Sequence, residues 1–178
     1  YIIQYVSLIE SQMITKILFG FVLGMMMAID NGGPINKTAY VFGIGMVVSY
    51  DYYPMAAIMA GGMIPPFVIA LTATLFKDRF EVRKDALMNY INGISFISEG
   101  AIPFIQKESQ IILPACCLSA GLAGALSMYF NCSIASPHGG LFLIWMVQNP
   151  ISYLSLIVCS TCVGTILLIL FTKLKKES

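Results

Sequence analysis

The sequence predicts an all-α integral membrane protein, a multi-span helical bundle with two re-entrant hairpins. Three observations carry this expectation. Of the 178 residues, 58% are hydrophobic and only 11% charged, with a mean hydropathy of +0.83, whereas soluble domains carry about 25% charged residues. Several apolar runs approach or reach the roughly 20 residues that cross a bilayer as a helix. Three polar, helix-breaking islands interrupt those runs: Asp30–Lys37, Ile97–Phe104 and Ser136–Gly140.

Taken in order, residues 1–178 read as one partial membrane domain. The first span lies near 14–29, broken only by Lys16, whose long side chain can snorkel to the interface. A shorter apolar run lies near 38–50. The run near 53–76 is long enough to span and carries Pro65-Pro66 at its middle, which predicts a kink or a break. The run near 111–130 is rich in small residues (Ala120-Gly121-Leu122-Ala123-Gly124-Ala125), a spacing that lets helices approach closely. The run near 151–171 is the cleanest span. The chain opens on Tyr1 rather than Met and without a signal-peptide pattern, so it is expected to be one part of a longer polypeptide.

Charge sets the expected topology. Lys77, Arg79, Arg83 and Lys84 form one basic cluster, and Lys173, Lys175 and Lys176 a second. By the positive-inside rule the loop 77–84 and the C-terminus both face the cytoplasm. The chain between them then crosses an even number of times. Runs 111–130 and 151–171 supply two crossings, so the segments near 86–110 and 132–148 must each return to the side they left. Each holds a polar island, and each is expected to be a re-entrant hairpin whose tip is buried in protein or lines a cavity. The competing reading is a full span followed by an interfacial loop.

The islands hold the chemistry. A charge at membrane depth costs about 2.5–3.5 kcal/mol on insertion scales and is usually kept for function. Glu99, beside Ser98, Gly100 and Pro103, sits where freed backbone amides can meet a ligand. Its carboxylate can accept several hydroxyl hydrogen bonds, as a sugar requires, or take a hydroxyl proton as general base. His138, the only histidine, lies between Pro137 and Gly139-Gly140, and a neutral imidazole both donates and accepts. Asp30, Asn31 and Asn36 surround Gly32-Gly33-Pro34, with Lys37 as a nearby cation. Each cluster also has a bland reading: a structural carboxylate, a satisfied polar residue or an exterior turn.

Other classes find no support. Net charge is +1 without a basic stripe, so no nucleic-acid partner is expected. There is no P-loop, no Gly-x-Ser-x-Gly elbow and no His-Glu-x-x-His site. Cys159 and Cys162 have CxxC spacing inside an apolar run, with no second pair, and read as packing residues like Cys116, Cys117 and Cys132. Neither a metal nor a cofactor is expected.

Together the islands resemble the membrane (IIC) component of the fructose permeases of the bacterial phosphoenolpyruvate-dependent phosphotransferase system. The resemblance runs through Met26–Gly43, Pro54-Met55-Ala56-Ala57, Ile97–Phe104, Gly124–Met128 and Ser136–Gly140, in order and with matching spacing. Ile29, Asn31 and Ser136 depart from the usual family residues but leave the polar side chains in place, and Phe96 stands where mannitol-type relatives carry Gly. The resemblance covers the C-terminal half or so of a IIC domain and implies that an N-terminal half is missing here. It implies group translocation across a bacterial cell membrane: the chain carries fructose or a related hexose inward, and a IIB domain phosphorylated on cysteine converts it to the 1-phosphate. IIA, HPr and enzyme I supply IIB. The chain would thus be the membrane part of a protein-phosphohistidine–sugar phosphotransferase, working as a homodimer in the lipid bilayer. The resemblance puts Glu99 and His138 at the sugar, Asp30 and Asn36 nearby, with Ser98, Gly100 and Gly139 opening the backbone to it. Two alternatives stand beside it: an ion-coupled secondary transporter using Asp30 and Glu99, and a non-catalytic permease remnant.

Overall fold

The computed structural model describes residues 13–77, 79, 80 and 83–177; positions 78, 81 and 82 of the expected cytoplasmic loop 77–84 lie outside the described residues. Among those described every regular element is helical. In order come α1 (Met13–Ile29), α2 (Pro34–Val48), α3 (Tyr53–Leu75), α4 (Arg83–Ile94), a 3₁₀ turn (Ser98–Ala101), α5 (Ile102–Lys107), α6 (Ser109–Tyr129), a second 3₁₀ stretch (Gly140–Met146) and α7 (Pro150–Glu177). Helices α3, α6 and α7 are long and apolar enough to cross a membrane, and α1 is a shorter apolar helix.

Helix α3 is the axis of the bundle. Its most apolar stretch is 94% buried, against 67% for α6 and 39% for α7. It is apolar all round, as expected of a helix with no solvent face. It also runs through Pro65 and Pro66 without a break. The two prolines leave the carbonyls of Gly61 and Gly62 without their intrahelical amides. Packing on every side holds the helix course regardless.

The small residues set the tightest approach. A methyl group added at Gly61 of α3 would stand 2.5 Å from the Cα of Gly24 of α1. Gly20 and Gly24 face Gly124 and Ala120 of α6, backbone against backbone. Three helices therefore meet over glycine and alanine, where dispersion contact replaces the hydrophobic effect as the source of cohesion. Tyr153 of α7 is fully buried and donates its hydroxyl to the Ala56 carbonyl of α3 at 3.1 Å, tying the two N-terminal ends together. Further along, Cys162, Thr165 and Ile169 of α7 share a cavity with Leu71 and Leu75 of α3, so the two helices run parallel.

Two segments leave this frame and come back to where they started. Helix α4 begins beside the end of α3, where Arg83 Nε donates to the Ala73 carbonyl. It passes Phe67 at Gly93 and reaches the level of Gly62, against which the Phe96 ring rests. Helix α5 then returns: Phe104 packs on Phe80 at 5.1 Å, and Arg79 grips Glu108 with two hydrogen bonds of 2.8 and 2.7 Å. The segment between α6 and α7 begins and ends at the other end of α3. There Asn149 Nδ2 donates to the Phe130 and Asn131 carbonyls, and Ile134 N donates to Tyr52 O. Its tip, Pro137–Gly140, reaches inward to Phe96.

Both basic clusters fall at one end of the bundle. Glu108, paired with Arg79, also feels the charge of Lys175, and Lys175 lines a cavity with Gln110 and Ile111.

Candidate functional site

The first island forms a rigid corner between α1 and α2. Asn31 takes a left-handed conformation (φ 40°) and donates its side-chain amide to the Ala28 carbonyl at 2.7 Å. Asn36 Nδ2 donates to the Met27 carbonyl at 2.7 Å, so two orphan carbonyls in the last turn of α1 are satisfied by side chains. Asp30 serves the start of α2. Pro34 at the first helical position has no amide to satisfy. The next two amides, Ile35 N and Asn36 N, donate to the Asp30 carboxylate at 2.6 and 3.0 Å.

The second island turns at the tip between α4 and α5. Phe96 is held at φ 60°, a left-handed conformation that is costly for a bulky residue. Its ring lies among Gly62, Tyr40 (6.2 Å) and His138 (5.6 Å). Ser98 is buried, and its hydroxyl lies 3.4 Å from Asn36 Nδ2. Glu99 follows with an exposed side chain laid over Gly32: a methyl group at Gly32 would stand 2.7 Å from its Oε1.

The third island carries His138 over the same place. Gly140, at φ 55°, abuts the Ile94 carbonyl and the Phe96 amide so closely that no side chain fits. Ser136 Oγ donates to the His138 carbonyl at 2.9 Å and stiffens the tip.

These three islands meet at one open cavity of about 260 Å³, lined by Met27, Gly32, Asn36, Lys37, Tyr40, Phe96, Ser98, Glu99 and His138. Glu99, His138, Asn36 and Ser98 thus converge from three separate stretches of sequence. Asp30 does not line it, because both carboxylate oxygens are engaged by the amides of α2. Gly100 and Gly139 do not line it either: Gly100 lies against Asn89 and Asn92, and Gly139 against Leu143. Residue-type reasoning missed Lys37, Tyr40, Phe96, Met27 and Gly32 as walls. Lys37 and Gly32 lay within an island already singled out; the two aromatics and the methionine carried no signal that separates them from core.

Chemically the cavity offers an anion (Glu99), a cation (Lys37), an imidazole and a hydroxyl, beside two aromatic rings. Both amide hydrogens of Asn36 face acceptors already, so its free group is the carbonyl oxygen. Acceptors and donors beside aromatic faces suit a small molecule with several hydroxyls.

The chain is similar to several known proteins. The Vibrio cholerae protein named PTS system fructose-specific EIIB'BC component is 46% identical over 151 residues, 84% of this chain and 26% of that protein. The Bacillus amyloliquefaciens fructose permease IIC component is 42% identical over 163 residues, 90% of this chain and 53% of that protein. The Haloferax volcanii PTS system fructose-specific EIIC component is 37% identical over 153 residues, covering 85% and 41%. The chain spans between about a quarter and about half of the length of these relatives. No family model matches the chain, and no solved structure does.

Proposed function

Because this chain belongs to the family of fructose-type membrane (IIC) components of the phosphotransferase system, we propose that it supplies the sugar-binding part of a permease that moves fructose or a related hexose inward for phosphorylation. The observation that carries the proposal is the meeting of Glu99, His138, Asn36 and Ser98 on one cavity.

In this reading Glu99 accepts hydrogen bonds from sugar hydroxyls. It takes the proton of the attacking hydroxyl as that oxygen bonds to phosphorus. The phosphorus–sulfur bond of a phosphocysteine on a partner IIB domain breaks, and the thiolate leaves. His138 and the Asn36 carbonyl orient the ring, and Phe96 and Tyr40 give it an apolar wall. IIA, HPr and enzyme I recharge the IIB partner. A second copy of the permease completes a homodimer, and the exposed apolar face of α7 (Ile151, Leu154, Val158, Ile166) suits lipid.

The segments near 86–110 and 132–148 act as opposed re-entrant hairpins. Supporting this, each starts and ends at one end of α3, and their tips touch at Phe96 and Gly140. The end that carries both basic clusters is the cytoplasmic one. An ion-coupled carrier is disfavoured, because Asp30 is occupied in capping α2 and leaves Glu99 as the one free carboxylate of the pair.

The test is phosphoenolpyruvate-dependent sugar phosphorylation by membrane vesicles bearing the full permease, with the soluble phosphotransfer proteins added. Fructose phosphate should form, and Glu99→Gln should lower turnover at least about 100-fold while the protein still inserts. Uptake of unmodified sugar, or wild-type turnover by Glu99→Gln, would refute the reading.

A further inference from the structure

A second and larger chamber, of about 670 Å³, lies behind the Ser98–Ala101 turn. Its wall on α4 is Asp85, Asn89 and Asn92, spaced i, i+4, i+7, so one face of that helix is polar and runs from exposed Asp85 to buried Asn89 and half-buried Asn92. Pro103, Phe104 and Lys107 of α5 form the facing wall. The Arg79–Glu108 pair stands at the same end of the bundle as the basic clusters.

A polar helix face among apolar neighbours is costly unless its groups are used. Asn89 is 1% exposed, yet it makes only a long bond from Nδ2 to the Asp85 carbonyl (3.3 Å) and accepts one from Asn92 Nδ2 (3.2 Å). A carboxamide has two donors and an acceptor with two lone pairs. Asn92, which is half-buried, therefore keeps its carbonyl oxygen and one amide hydrogen for a ligand, while the buried Asn89 holds it in place through their mutual bond. Arg79 and Lys107 are balanced by Asp85 and Glu108, so the chamber favours a neutral polyhydroxylated molecule over an anion.

The two chambers share a wall. Ser98 and Glu99 face the first; Gly100 faces the second, where its Cα rests against the carboxamides of Asn89 and Asn92. Any side chain at 100 would collide with the carboxamides of Asn92 and Asn89. We propose that this chamber is a second sugar-hydroxyl site, in which Asn92, positioned by Asn89, holds the sugar on the basic-cluster side of the turn. The proposal rests on the sugar-permease reading of the first cavity. Sugar entering from that side meets Asn92 first, and sugar entering from the other side meets Glu99 and His138 first.

The experiment uses the full permease in inside-out and right-side-out vesicles, with fructose offered to one face at a time. Asn92→Leu should raise the KM for fructose offered at the basic-cluster face about tenfold more than at the opposite face, the worth of one or two lost hydrogen bonds. Asn92→Ser, which restores a hydroxyl, should recover part of that difference; this second variant guards against a folding defect, which would act on both faces alike. Equal KM changes at both faces, or none, would overturn the second site alone. Wild-type turnover by Glu99→Gln would overturn the first cavity's reading and the second site with it.

Discussion

The ring of Phe96 stands 5.6 Å from that of His138, at 70° to it, so the tips of two segments arriving from opposite ends of α3 meet edge to face. Edge-to-face geometry is the favoured one for aromatic pairs. The contact is made from a strained backbone: Phe96 stands at φ 60°, with Gly62 against its ring and Gly140 against its amide. Phe96→Ala should destabilise the fold by about 3 kcal/mol through lost packing of a buried aromatic, and alanine leaves the positive φ unrelieved. It should also raise the sugar KM. Thermal unfolding of the purified permease and its KM for fructose check both parts.

Asp30 and Glu99 should separate cleanly on mutation. Asp30→Ala leaves two amides of α2 uncapped and should cost about 1–2 kcal/mol of stability. Its effect on fructose KM should be small beside that of His138→Ala. A fall in affinity for Asp30→Ala as large as for His138→Ala, in protein of normal stability, would contradict the capping role.

Acid should loosen the end that carries the basic clusters. The hydrogen bonds from Arg79 hold the Glu108 carboxyl below its ordinary 4.5, against the opposing pull of partial burial. A carboxylate whose pKa is lower folded than unfolded contributes stability above the unfolded value, and that contribution is lost as pH falls through the folded one. The difference in melting temperature between wild type and Glu108→Gln should therefore be full above pH 4.5 and shrink below it. A difference that stays constant down to pH 3 would mean that the pair does not act in the fold.

The glycine seam should tolerate no bulk. Gly24→Val places a branched side chain against the Ala120 carbonyl, with backbone rather than a movable side chain in its way. Overpacking of this kind costs about 1–3 kcal/mol or more. The variant should reach the membrane in reduced amount, whereas Gly45→Ala, with open space around it, should behave as wild type. Membrane levels by immunoblot compare them.

Much of this was legible in residue types. Continuous apolar runs fall on α1, α3, α6 and α7, although α7 continues past 171 to Glu177, because apolar length is a strong signal for helix and the charged last turns carry none. Glu99, His138, Asn36 and Ser98 stood out because polar groups beside helix breakers are rare in such a chain. The capping contact of Asp30 had a local signal: a carboxylate four residues before Pro34 has the reach to cap the helix that the proline opens. Tyr40 and Phe96 were invisible as walls, since an aromatic residue lining a cavity and one filling the core have the same neighbours in sequence. The unbroken course of α3 through Pro65-Pro66 was invisible too. It depends on what surrounds the helix on all sides, which no local pattern encodes.

The bond from Ile134 N to Tyr52 O, with the seating of Gly140 on the Ile94 carbonyl, also fixes when the pocket can exist. During synthesis α1 to α6 emerge first and can pack by their glycines, yet Glu99 and Asn36 then lack the wall that His138 supplies. That wall waits for residues 134–140, and Tyr153 of α7 then anchors that late segment's far end to α3. Long-range closure of this kind is the slow part of folding. A nascent chain halted before residue 134 therefore carries most of its polar groups into the bilayer unenclosed, and that arrested length is where quality-control proteases should find it.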